Sequence, residues 1–505
     1  MRSVRRLCLI VIDGFGVAPP GPGNARTLAR MPTVQALEAH APNVLMEAAG
    51  NAVGLPEGQQ GASEPGHLTI GAGRVVWQPL EGINRAIHTG EFFANPVLVS
   101  ACKRAKAQGK TLHLIGLYSS GGVHSHADHF HAMIQLAKKE GVTRLVLHLF
   151  GDGRDVPEQH FCTDFQLLQS EVSRAELGTI VSLVGRYFAM DRDQQYVERT
   201  KIAYDLLTRG EGSEVADLCK GAREWYLEAT DREKTDYYIR PLKTPDFQPI
   251  AADDVVVCIN FRSDRMIQIV TALEAAEFNE FPRPVRIKDV VCMGPYSNHL
   301  PVAYPPADVP NTLGEIVSKA GLKQLRIAET DKFAHVTFFF NAQRHEPYPG
   351  EERLLVESPK VSNFAEAPEM SADQLTDELI TKVKAQEYDF IVANFANPDL
   401  VGHGGKIDAV VTGCETVDRN LARLLPILEA HGYDWIITAD HGNAEEMYYP
   451  GTTTICPSHT TNRVQTFVHS EKIKSSHDLK KLTGLKDIAP LALKIMEIPV
   501  PKEMR

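Results

Sequence analysis

Short, continuous runs of β-branched and other apolar residues alternate with longer amphipathic stretches along almost the whole chain. Leu7–Ile12, Leu112–Leu117, Arg144–Phe150, Thr179–Val184, Val255–Phe261, Phe390–Phe395 and Trp435–Ala439 have the length and composition of strands buried on both faces. Ala127–Glu140, Asp193–Leu207, Ala372–Ala385 and Asp408–His431 repeat their apolar positions with helical spacing. Strand and helix alternating in this way predict an α/β protein with largely parallel sheets. In such sheets, reactive side chains gather where strands end. Asp13, Arg154, Arg262 and Asp440 fall at such ends.

The chain has 505 residues, more than one core usually supports, so at least two domains are expected. Two stretches read as hinges: Arg74–Glu81, which follows Gly71-Ala-Gly73, and the Pro-rich segment Pro295–Pro310. They divide the chain into a discontinuous domain, 1–76 with 308–505, and an inserted domain, 77–307. The net charge of −11, with no long basic tract, argues against nucleic acid as a partner. No stretch has the length of a membrane span, and the apolar run near the N-terminus is too short for a signal peptide. The eight cysteines lack CxxC spacing, and several lie in apolar runs. Reduced, buried thiols and a cytoplasmic location are expected.

Acidic and imidazole side chains cluster at the two ends of the chain. Asp13 follows the first strand, Ser63 lies in Gly61-Ala-Ser-Glu-Pro-Gly66-His67, and Asp399 and His403 lie in Asn397-Pro-Asp-Leu-Val-Gly-His403. Asp440-His441 follows another strand, and His459 lies in Ser458-His-Thr-Thr461. Six ligands of mixed hard and borderline character suit two divalent ions, the arrangement of a two-metal phosphoryl-transfer site. Each is weak alone, since Asp-Gly after a strand is commonly a turn and His459 alone suits a loop. Ser63 also reads as a helix N-cap with Pro65 in the first turn, a place where free amides would receive a phosphate. Between the hinges, His124, Arg154, Asp155, Arg186, Arg192, Arg262 and Arg265 follow apolar runs or sit in Gly-flanked turns. Single Arg-Asp pairs of this kind are usually surface ion pairs. Several arginines at neighbouring strand ends suit a small polyanion.

The segments Val11-Ile-Asp13-Gly, Gly54-Leu-Pro-Glu-Gly58, Ser63-Glu-Pro-Gly-His67, Asp399-Leu-Val-Gly-His403, Ala439-Asp-His-Gly-Asn443 and His459-Thr-Thr-Asn462 closely resemble those of the cofactor-independent phosphoglycerate mutases of the alkaline phosphatase superfamily. The resemblance runs from about residue 6 to near the C-terminus. It implies a phosphatase-like metal domain built from both chain ends, with an inserted α/β substrate domain. It further implies that 3- and 2-phosphoglycerate are interconverted in glycolysis and gluconeogenesis, without added 2,3-bisphosphoglycerate. By the same resemblance Asp399, His403 and His459 hold one metal. Asp13, Ser63, Asp440 and His441 hold the other, and Ser63 is transiently phosphorylated. The metals would be manganese first, with magnesium, cobalt or zinc as alternatives, and the protein a monomer. His124, Arg154, Asp155, Arg186, Arg192, Arg262 and Arg265 become substrate contacts, Asp155 also an acid/base for the substrate hydroxyls. Lys332 matches an active-site lysine, although a lysine ahead of an apolar run also reads as a plain strand-end charge. The chain departs from the family pattern at Ala62, Pro65, Gln194-Gln195 and Arg463. None of these removes a ligand or the nucleophile. A phosphopentomutase, a phosphatase and a non-catalytic metal-binding scaffold are the competing readings. The arginine set disfavours the first two and the intact Ser63 disfavours the third.

Overall fold

Two seven-stranded sheets organise the molecule. The structure, a computed structural model, describes residues 5–449 and 451–505. The chain divides into one unit of residues 1–78 and 308–505 and a second of residues 79–307.

In the first unit the strands lie in the order Glu351–Val356, Gln324–Glu329, Phe390–Phe395, Arg6–Ile12, Tyr433–Thr438, Val464–His469, Asn43–Met46. The first five are mutually parallel; Val464–His469 is antiparallel to both its neighbours. Leu7 to Ile12 are all buried, as a central strand covered on both faces requires. Registration brings the two ends of the chain together. Ile12 pairs with Phe395 on one side and Val11 with Thr438 on the other, so Asp13, Asp399 and Asp440 all emerge from the same edge.

The second unit has the order Ser213–Glu214, Leu242–Lys243, Thr179–Gly185, Leu145–Gly151, Leu112–Leu117, Val255–Cys258, Asp289–Cys292. The last five are parallel. The chain steps outward in one direction from Leu112–Leu117 to Thr179–Gly185, then returns to the opposite side of Leu112–Leu117 with Val255–Cys258. That reversal is a topological switch point, where the loops beyond the strands splay and leave a crevice. His124, Arg154, Asp155, Arg186, Arg262 and Arg265 all follow these strands.

Three expectations change. Val255–Phe261 pairs only as far as Cys258, and Asn260 instead turns inward so that its side-chain oxygen accepts from Leu117 N at 2.9 Å. The helical stretch predicted from Asp193 begins at Tyr196 as a π-turn before Lys201–Arg209 continues it. The cysteines are not all reduced: Cys162 and Cys219 form a disulfide, joining the starts of the helices Phe161–Ala175 and Leu218–Glu228. The other six are free and buried. Among the described residues no helix is long and apolar enough to cross a membrane.

Candidate metal centre and anion site

Ser63 opens the helix Ser63–Ala72, but as its first helical residue. The cap position belongs to Ala62, which is extended and offers no side-chain bond to the helix. The capping role expected of Ser63 is therefore not the one it has. Its hydroxyl points instead into the cluster, where it donates to Asp13 Oδ1 at 3.1 Å and lies 2.9 Å from His441 Nε2. The Lys332 ammonium donates to Ser63 Oγ at 2.7 Å, to Asp13 Oδ1 at 2.7 Å and to Asp399 Oδ2 at 2.6 Å. Lys332 follows the strand Gln324–Glu329, and the apolar run after it forms a π-turn, His335–Phe339, not a strand. It is buried and bonded to Ser63, Asp13 and Asp399, so of its two readings that of a plain strand-end charge does not describe it.

The three histidines share one design. His403 Nδ1 lies 2.8 Å from Pro457 O, His459 Nδ1 2.8 Å from Gly61 O, and His441 Nδ1 3.2 Å from Gly442 O. With each Nδ1–H committed to a backbone carbonyl, each Nε2 is turned inward. His459 Nε2 is 3.1 Å from Asp399 Oδ1, and His403 Nε2 is 3.3 Å from the same oxygen. His441 Nε2 is 3.4 Å from Asp13 Oδ1 and 3.5 Å from Asp440 Oδ2. Two groups of ligand atoms, Asp399–His441–His459 and Asp13–Asp440–His441, each lie within 4.8 Å. His403 stands at the exposed edge, its Nε2 3.1 Å from that of His459.

This donor set fits divalent metal on its own chemistry. Carboxylates and inward Nε2 atoms converge, and Asp440 Oδ2 is buried without a hydrogen-bond donor. His67 Nδ1 comes within 3.1 Å of that oxygen, yet its hydrogen bond goes to Ser63 O at 2.9 Å. Electrostatics agree. Burial would lower the His441 pKa, but Asp440, Asp13 and Asp399 outweigh it and raise it to about 10. Burial opposes charge on Asp399 as well, yet Lys332 and the surrounding imidazoles hold its carboxyl well below the usual range. The lysine and a protonated His441 thus supply the positive charge that metal ions would otherwise supply.

Within the second unit, Asp152 and Asp264 organise the basic residues. Arg186 is buried and donates from one nitrogen to Asp152 Oδ1 at 2.6 Å and to Asp155 Oδ2 at 2.5 Å. Asp152 Oδ1 also accepts the backbone amides of Arg154 and Asp155 at 3.2 and 3.0 Å, which shapes the loop. Arg192 donates to Asp264 Oδ2 at 2.8 Å and Arg262 to Oδ1 at 3.1 Å, with His124 Nδ1 3.8 Å from Oδ1. Arg265 donates to Met190 O at 3.2 Å. The structure thus gathers Arg192, Arg262 and His124 about one carboxylate, and Arg186 with Asp155 about another. Arg154 is exposed beside the Tyr237 ring. Burial, then the charge of Arg186, lowers the His124 pKa to about 4, so its ring is neutral near pH 7.

Sequence reasoning weighed the Asp neighbours of the arginines only as surface ion pairs and did not place Asp152 or Asp264 in the site, where they bind Arg186, Arg192 and Arg262. It also passed over Asn394, whose amide donates to Asp13 Oδ2 at 2.8 Å, and His67, one helical turn beyond Ser63.

The chain belongs to the metalloenzyme superfamily, whose family model matches residues 5–500. Within it the chain belongs to the 2,3-bisphosphoglycerate-independent phosphoglycerate mutases. It is 44% identical to the enzyme of that name from Moorella thermoacetica, over 99% of this chain and 97% of that one. It is 43% identical to the corresponding mutase 1 of Methanosarcina barkeri, over 100% of this chain and 98% of that one. A crystal structure of Leishmania mexicana phosphoglycerate mutase, obtained at low cobalt concentration, superimposes with a TM-score of 0.63. It is 29% identical, and the match covers 99% of this chain and 97% of that one.

Proposed function

We infer that this chain carries out its family's reaction, as an isomerase interconverting 3-phosphoglycerate and 2-phosphoglycerate, by way of a phosphorylated Ser63. The observation that carries this reading is the placement of the Ser63 hydroxyl, buried among Asp13, His441 and Lys332 at the start of a helix. An ordinary serine hydroxyl is a poor nucleophile and needs such surroundings.

Two divalent ions, manganese ahead of magnesium, cobalt or zinc, would be held by Asp399, His403 and His459 and by Asp13, Ser63, Asp440 and His441. When bound, they supply positive charge against the phosphoryl oxygens and ease ionisation of the serine hydroxyl. The protein's own groups do the rest. Ser63 Oγ forms a bond to phosphorus as the bond from phosphorus to the substrate oxygen breaks. Ser63 already donates to Asp13, which marks the exit for its proton. Lys332, a fixed ammonium touching the nucleophile, favours charge building on the transferring group. Asp155 gives a proton to the departing glycerate oxygen. It then takes one from the other hydroxyl as that oxygen bonds to phosphorus, while the bond from phosphorus to Ser63 Oγ breaks and Oγ takes back its proton from Asp13. Glycerate must be kept while it turns, and that is the work proposed for Arg192, Arg262, Arg265, Arg186, Arg154 and neutral His124, which suit carboxylate and phosphate. A cytoplasmic enzyme acting on this small molecule alone completes the reading.

The test is a coupled assay of 3-phosphoglycerate turnover with no 2,3-bisphosphoglycerate added, on wild type and Ser63→Ala. Turnover in wild type, its loss in the variant with metal uptake retained, and a phosphate on Ser63 by mass spectrometry are expected. A phosphate trapped elsewhere, or turnover by Ser63→Ala, overturns the mechanism.

A further inference from the structure

Glu445 is buried, lies outside the ligand set, and yet its carboxylate ties together the loops that carry the ligands. Oε2 accepts Gly16 N at 2.9 Å and Asn443 N at 2.9 Å. Oε1 accepts the Thr460 hydroxyl and the Asn462 side-chain amide, the latter at 3.1 Å. Gly16 follows Asp13, Asn443 follows Asp440-His441, and Thr460 and Asn462 follow His459. Thr460 extends the connection, because its carbonyl accepts from Gly61 N at 3.0 Å and its amide donates to Gly442 O at 3.0 Å. Gly61 lies two residues before Ser63.

The glycines around this carboxylate bear on the same point. A Cβ on Gly16 would collide with the Glu445 carboxylate, and a Cβ on Gly442 would collide with Glu445 Oε1 and Thr460 Oγ1. Neither glycine has a positive φ, so the backbone accepts a side chain at both. What excludes one is the space the carboxylate fills.

We propose that Glu445 is the positioning residue of the metal centre: a single carboxylate that sets the spacing of the Asp13, Asp440-His441 and His459 loops, and through Thr460 that of Ser63. The inference rests on the metal-centre reading above and goes beyond it, since Glu445 stands outside the ligand and substrate sets and both its oxygens are engaged by protein donors. Only a carboxylate suits the place, because all four partners are donors and both oxygens must accept twice. A glutamine would turn an amide NH2 toward two donors whichever way it sat.

The experiment measures Mn²⁺ affinity by chelator competition on the full-length wild type, Glu445→Gln and Gly442→Ala, with circular dichroism as the check on folding. Supporting-residue changes of this kind typically cost ~10–100-fold in metal affinity. A loss of that size is expected in Glu445→Gln, with kcat returning to within a few-fold of wild type at saturating Mn²⁺. Gly442→Ala, which drives a methyl group into the carboxylate, should show a comparable loss, and the double variant little more than either alone. Should Glu445→Gln not fold, the same loss in folded Gly442→Ala supports the proposal, and wild-type affinity there overturns it. Wild-type affinity in a folded but less stable Glu445→Gln makes the residue merely structural and sinks the idea. Fully additive losses in the double variant also count against it, because they mean separate routes. If wild type itself takes up no Mn²⁺, the metal-centre reading falls and this inference falls with it. If wild type binds and Glu445→Gln binds equally well, only the inference fails.

Discussion

Replacing Lys332 by methionine should destabilise the metal-free protein severely, and divalent metal should repair most of the damage. The Lys332 ammonium is buried and pairs with Asp13 and Asp399 at 2.7 and 2.6 Å, and those carboxylates have essentially no exposed side-chain surface. Methionine keeps the volume and removes the charge. Breaking a buried pair by deleting one partner costs about 3–5 kcal/mol, because the remaining charge stays in a poor solvent. Metal at a thousand times its Kd returns about 4 kcal/mol, enough to offset that loss. The pH dependence has a definite sign. In wild type the depressed Asp399 pKa means its contribution is present above 3.8 and lost as pH falls below it. Without the lysine, only the imidazoles oppose burial, and these carboxyls move up, so the folded variant takes up protons. The penalty should therefore be larger at pH 8 than at pH 5. Urea unfolding of chelator-treated wild type and Lys332→Met, at both pH values and then with Mn²⁺, measures it. A metal-free variant as stable as wild type at pH 8, or one that Mn²⁺ fails to rescue, would refute the reasoning that lysine and metal balance the same charges.

Metal uptake should release protons. His441, raised to about 10 in the metal-free protein, must surrender the proton on Nε2 to become a ligand. Calorimetry at pH 7 in buffers of different ionisation enthalpy should find about one proton released from this residue, and affinity should climb as pH rises toward 10; buffer-independent heats would contradict this. In the metal-free protein the same group stabilises fully below its unfolded value of 6.5, and that support is lost as pH rises through about 10. Arg262→Ala should lower kcat/KM by at least ~100-fold, roughly 2.7 kcal/mol of transition-state interaction, while Mn²⁺ affinity stays at the wild-type value. Loss of metal binding in that variant would show that its effect is not confined to substrate.

The parts of the fold that were legible in the sequence are those with a continuous apolar run and nothing to disguise it. Leu112–Leu117 and Phe390–Phe395 pair over the residues their composition marks, because strands buried on both faces leave no room for polar interruption. Gln324–Glu329 escaped notice because Arg326 sits in its middle. That guanidinium is wholly buried, lying 4.7 Å from the Phe340 ring and 5.3 Å from that of Phe390, so a strand interior holds a residue that pattern reading assigns to the surface. Asn43–Met46 and Val464–His469 alternate too briefly to announce themselves, and they form the antiparallel margin of the sheet. The Cys162–Cys219 pair has a sequence separation of 57 and no motif; only the packing of two helix starts brings the sulfurs together.

The site divides along the same line between local and non-local information. Asp13, Asp440 and His441 were readable because a strand end with a carboxylate is a local pattern with a chemical meaning. Their supports were not, because beside any neighbour they bind, Glu445, Asn394 and Asp264 each reach a distant segment: Gly16, Asp13, and Arg192 with His124. A ligand advertises itself by its own chemistry, whereas a positioning group has meaning only through what it touches. The Lys332 contacts show how far this goes. A residue whose local context suggested an unremarkable charge at a strand end carries three of the shortest polar contacts around Ser63, and no reading of positions 329 to 340 alone contains the two carboxylates that hold it there.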